Sequence, residues 1–303
     1  MTIKNPFSLR DFLGYVFPGA FAMLIVFIFS QCEGNIFDIL KEYPEKTFGL
    51  MDTLLLLLLS YIVGHLVAYL SFLTIEKFSV WVYGYPSEYL LMDLDKGHYF
   101  NVKSPNCSIK LFWRIFIALT LLPISIGTIL VSKLFGVKEF FVRKLDVGLI
   151  NTINRCCIQL AKYIEYDLGD GEDIDYLRVI NHYEYERQSN HVSKIDNYVA
   201  LYGFLRAIAF ILNYSFIYMT IFMVIPGLLI KGCVCCDVLI PYCLVGIGSY
   251  LFFIGFMKFY RRYALENFMC LIIDKSYRLK SDPGVSVSYS YSKEVRLADS
   301  DSI

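Results

Sequence analysis

Charge is what this sequence has least of. Asp, Glu, Lys and Arg make up 18% of its 303 residues, and 56% are hydrophobic. Ordinary globular domains carry about 25% charged and about 45–50% apolar residues. Basic and acidic residues balance at 28 each, so no net positive field points to nucleic acid. Groups that do chemistry are also scarce. There are four His in the whole chain, with no phosphate loop, nucleophile elbow, HExxH motif or pair of acids inside an apolar stretch. These absences argue against the recognisable catalytic classes. The expectation is a non-enzymatic protein with no cofactor and no metal, and with the lipid bilayer as its first partner.

What is present is long apolar runs. A bilayer core about 30 Å thick takes about 20 residues of helix to cross. Between flanking charges, Asp11 to Glu33 leaves 21 uncharged residues, Asp52 to Glu76 leaves 23, Arg114 to Lys133 leaves 18, Arg206 to Lys231 leaves 24 and Asp237 to Lys258 leaves 20. A soluble fold would have to bury five such helices on every side, and too little chain remains to cover them. The first run is too long for a signal-peptide core and has no small-x-small site after it, so it reads as a retained span.

The expected class is therefore an all-α integral membrane protein with four to five transmembrane helices. A helical cytoplasmic insert lies between the third and fourth hydrophobic segments. The expected organisation is an N-terminal membrane region over 1–132 (helices about 12–32, 53–75 and 112–132), a cytoplasmic helical region over 133–205, a transmembrane hairpin over 206–258, and a cytoplasmic tail over 259–303. Orientation follows from the basic cluster Lys258, Arg261 and Arg262, tight against the last span; such clusters stay in the cytoplasm. The third stretch decides the rest. If it spans, 20 basic residues lie inside and eight outside; if it only dips in, the split is 25 to three. Pro123 in mid-stretch permits a dip, while the apolarity of IFIALTLLPISIGTILVS favours a crossing. The reading leans to five.

Two polar features interrupt the second run. Tyr61, His65 and Tyr69 recur every four residues and share one helix stripe. Beside them runs a small-residue ridge, Ser60, Gly64 and Ala68, the pattern that lets two membrane helices approach closely. An unsatisfied imidazole N–H is costly in lipid, so the stripe is expected to face protein or a wet cavity. These six residues are the candidates for helix packing or pore lining. The plain reading is a neutral His65 hydrogen-bonded across a helix pair. Prolines at Pro18 and Pro226 each remove a backbone bond from an apolar helix.

In the insert, LINTINRCCIQLAKYI (149–164) places Leu149, Ile153, Cys156, Cys157, Leu160 and Ile164 on one face of an amphipathic helix. The acidic run DLGDGEDID does not match an EF-hand loop and reads as a solvated turn. A further helix from Asp173 or Asp175 carries two Arg-x-x-x-His pairs, Arg178 with His182 and Arg187 with His191. They lie about 180° apart, so they do not converge within one chain. A charged, solvated helix is the simpler reading, with a nuclease-like site as its competitor. Arg206 is expected to snorkel to the inner interface.

Cys233, Cys235 and Cys236 crowd the turn KGCVCCD without the second half of a zinc site. In the tail, Val285, Val287, Tyr289 and Tyr291 alternate with serine at a strand period. The functional expectation is an oligomerising membrane effector or pore-type protein controlled by its cytoplasmic helices, as a homo-oligomer or with a membrane partner protein. The alternatives are an accessory or scaffold subunit and a membrane enzyme using the Arg/His helix.

Overall fold

The computed structural model describes residues 11–30, 49–91, 107–135, 142–165, 179, 182–183, 186, 189–231 and 236–273. Among these, about 94% are helical and none is in a strand, which establishes the all-α class. Several expectations lie outside the described residues: the acidic turn, the start of the Arg/His helix, Cys233 and Cys235, and the alternating tail.

Four helical runs are long and apolar enough to cross a membrane, namely Phe12–Ser30, Leu50–Leu91, Lys194–Leu229 and Val238–Ile273. The first is α1 (Phe12–Ser30), which opens with a π turn over Phe12–Val16. Next come α2 (Leu50–Ser71), a π turn over Phe72–Glu76, and α3 (Lys77–Tyr83). Gly49 starts α2, its N–H donating to the Asp52 carboxylate at 3.2 Å. Gly84 ends α3 at φ 87°, a left-handed conformation that costs glycine nothing. Pro86 then opens the short α4 (Pro86–Leu91).

The third apolar stretch does not form one straight helix. It is divided between α5 (Cys107–Thr120) and α6 (Leu122–Phe135), whose apolar parts meet at 91°. Pro123 has no N–H to give to the Leu119 carbonyl four residues back, and at the same bend the Thr120 carbonyl accepts a bond from another helix. The remaining elements are α7 (Val147–Tyr163), α8 (Ser189–Met219), a π turn over Thr220–Val224, α9 (Ile225–Lys231) and α10 (Cys236–Ile273). The π turns at Phe12–Val16 and Thr220–Val224 lie just ahead of Pro18 and Pro226. Widening the helix there accommodates the proline ring.

The centre of the fold is the antiparallel pair of α8 and α10. Phe216 stacks on Tyr242 at 4.3 Å, the Ser249 hydroxyl donates to the Ala209 carbonyl at 3.1 Å, and Lys194 meets Glu266 at 2.5 Å. At 38 residues, α10 is about 57 Å long, well beyond the roughly 30 Å of a hydrocarbon core. It runs unbroken past Lys258, Arg261 and Arg262. Its far end joins α4 and α7 in a helical layer at one end of the molecule, where Tyr89, Leu90, Ile153 and Phe268 form a common core. The face expected for residues 149–164 is present: Ile153, Cys156 and Leu160 are buried against α4 and α10. Tyr83 and Tyr89 are buried in this part of the fold.

The outer surfaces of the long helices are left open. Leu55 is 56% exposed, Leu229 80% and Leu244 65%. An apolar belt of this extent is foreign to a lone soluble protein.

Candidate functional site

Helices α1 and α2 cross at glycines. A methyl added to Gly19 would land on the Ser60 carbonyl, and one added to Gly64 would land on the Tyr15 carbonyl. Ser60 and Gly64 are buried and Ala68 is half-buried. The small-residue ridge is therefore a contact within the chain, against α1, and is not free for a second copy.

That contact also sets the rotation of α2. With Gly64 turned to α1, His65 falls 100° further round and is exposed. Its ring stacks on Tyr15 at 3.9 Å and meets the edge of Tyr61 at 4.5 Å. Tyr69 is 62% exposed and Tyr61 half-buried. The stripe was expected to face protein or a wet cavity; in the single chain it faces outward beside Tyr15.

Arg206 sits where α8 meets the end of α2. It forms an ion pair with Glu76, the last residue of the π turn, and its Nε donates to the Ser71 hydroxyl at 3.2 Å. The Ser71 O–H in turn donates to the Ala68 carbonyl at 2.8 Å. The Arg206 and Glu76 side chains are only 12% and 15% exposed. The guanidinium also lies 5.8 Å from the Phe72 ring. Arg206 thus faces the bundle, with a counter-charge, and does not reach outward to an interface. Sequence periodicity gives no signal for this partner, because Glu76 is 130 positions away.

A third polar contact holds the bend between α5 and α6. The fully buried Asn213 donates from Nδ2 to the Thr120 carbonyl at 2.6 Å. The Ser125 hydroxyl donates to the Ala118 carbonyl at 2.9 Å. Both arms then return toward the helical layer. Arg114 lies over Trp81 of α3 at 5.4 Å. Gly127 packs on the Tyr250 ring of α10, whose neighbour Phe253 meets Phe78 of α3.

Of the Arg/His pairs, Arg178 and Arg187 lie outside the described residues. His182 is exposed, and His191 lies in the first turn of α8. In the helical layer, burial beside Cys156 pushes the Cys157 thiol up to about 12, so it is a poor nucleophile. Among the described residues no group of three or more His, Cys, Asp or Glu could hold a metal. No family model matches the chain, and neither the curated proteins nor the solved structures give a match.

Proposed function

We propose that the chain is an integral multi-pass membrane protein that oligomerises and acts on the bilayer as an effector or pore-type protein, controlled from a cytoplasmic helical layer. The observation that carries this reading is the outward stripe of Tyr61, His65 and Tyr69 within an apolar helix. Lipid offers no hydrogen bonds, so an imidazole on the outer face of a span calls for a protein partner or water. A second copy can be that partner, since each of these side chains can donate and accept.

The bent α5–α6 segment favours four crossings and one re-entrant dip over the five crossings first expected. Four crossings place α3, α4, α7 and the end of α10 together on the side that keeps the basic residues, the cytoplasmic one. Control then has a direct route, because α8 and α10 pass from the bundle into that layer as continuous helices.

The test is native mass in detergent, paired with dye release from proteoliposomes. The wild-type chain is expected to run as a defined oligomer and to release dye. His65→Leu should shift it toward monomer and reduce release. A wild-type monomer without release would refute the effector reading. Recovery of a stoichiometric second membrane protein on the same stripe would favour an accessory subunit instead.

A further inference from the structure

In the helical layer, no carboxylate among the described residues pairs with Arg261. Arg261 projects from α10 between α4 and the segment leading into α7. Its Nη2 donates to the Arg143 carbonyl at 3.0 Å. The backbone Leu145 N–H donates to the Leu90 carbonyl at 3.2 Å, tying that same segment to α4. Two stretches far apart in sequence, Arg143–Lys144 and Lys258–Arg262, therefore converge on one spot. They bring the Arg143 backbone against the Arg261 guanidinium. Among the described residues, the acids on α4 and at the start of α7 are Glu88 and Asp146. Asp146 is exposed at the start of α7, and Glu88 faces the Tyr85 N–H at 3.4 Å.

Arg261 itself is half-buried, and among the described residues no carboxylate pairs with it. Its Nε is buried with no hydrogen-bond partner. So is the hydroxyl of Tyr89, a residue only 1% exposed, which lies within electrostatic reach of the Arg261 charge. Buried donors left unpaired cost about 1–3 kcal/mol each, more for a charged group. Here two of them, one cationic, share a neighbourhood walled by Val142, Ala264 and Leu265. Both need an acceptor, and the cationic guanidinium favours an anionic one.

We propose that Arg261 and Tyr89 form an anion site that takes a phosphate group, beside the Arg143 backbone. A phosphate presents several acceptor oxygens on one centre, so it can accept from the guanidinium Nε and the phenol together. The phosphate can come from an anionic phospholipid headgroup or from a soluble phosphate compound. The position of Arg261, three residues beyond Lys258 at the end of the last apolar run, suits either. This site does not rest on the effector reading, because its test reads binding and not membrane permeability.

The experiment is thermal unfolding of the full chain in nonionic detergent, with two probes. One is inorganic phosphate against chloride at equal ionic strength. The other is phosphatidylglycerol against phosphatidylcholine in mixed micelles. At least one probe is expected to raise the unfolding midpoint. A shift with phosphatidylglycerol alone identifies a lipid headgroup, and a shift with inorganic phosphate identifies a soluble source. Tyr89→Phe keeps the packing and removes one donor, so it should need about tenfold more ligand for the same shift. Arg261→Gln should abolish the shift, while Arg262→Gln, outside the buried site, should retain most of it. Absence of any shift overturns the proposal. So does a shift that Tyr89→Phe leaves undiminished, whether or not Arg261→Gln folds.

Discussion

Arg206 of α8 is paired with Glu76 at the end of α2, and both side chains are largely shielded from solvent. The pair places the end of the second apolar run and the start of the fourth at the same end of the bundle. With five crossings these two ends would lie on opposite sides of a membrane. With four crossings and a dip they lie on the same side. One ion pair thus carries a statement about the path of the whole chain.

Breaking this pair should be expensive. A buried charge left without its partner costs about 3–5 kcal/mol. Glu76→Ala should lower the unfolding midpoint in detergent markedly. The double change Glu76→Leu with Arg206→Met should recover much of the loss, because it leaves no stranded charge. Equal losses in the single and double variants would show that shape, not charge, governs the site.

The crossing of α1 and α2 gives a sharper contrast. Gly64→Ala places a methyl on the Tyr15 backbone, whereas Gly14→Ala meets nothing within 4 Å. The first should destabilise by about 1–3 kcal/mol or more. The second should be near neutral, or slightly stabilising where glycine is replaced inside a helix. Thermal melts of the two variants side by side check this directly.

Asn213 caps the carbonyl at the α5–α6 bend. Asn213→Leu removes the cap and leaves a partly buried Thr120 carbonyl unpaired, at about 1–3 kcal/mol at most. Protease susceptibility should rise within 107–135 before it rises elsewhere in the chain. Uniform susceptibility would mean that the bend is held by other contacts.

Cys157 should resist thiol reagents at pH 7–9 in the folded chain, since burial holds its proton to about 12. An unfolded thiol titrates near 9. The stability contributed by keeping this proton is therefore present below pH 9 and is lost as pH rises toward 12. Maleimide labelling with mass spectrometry should show Cys157 reacting only after denaturation. Fast labelling of the native chain would show the thiol ionising at ordinary pH.

The all-α class and the apolar helices were legible in the sequence because the length and apolarity of a run are local properties of the chain. The face of α7 was legible because 3.6-residue periodicity is local. Gly64 and Ser60 could be recognised as close-packing residues, but their partner could not. Gly19 sits in α1, far from them in sequence, and its fit to Ser60 is a matter of three-dimensional shape. The outward turn of His65 follows from that same contact, so it was hidden for the same reason. The bend had a local hint in Pro123, yet its angle depends on Asn213, 93 positions from Thr120. Arg206 looked like an interfacial arginine until Glu76 was placed beside it.

The central claim is the four-crossing path, and cysteine accessibility tests it most directly. Single cysteines would replace Asp52, Lys110, Arg143 and Arg262, in a background lacking reactive native thiols, and be probed on intact cells with a membrane-impermeant maleimide. The account predicts that only the Asp52→Cys variant labels from outside, the other three labelling only after permeabilisation. Labelling of Lys110→Cys from outside while Arg143→Cys stays protected would place a full crossing between them and contradict the account.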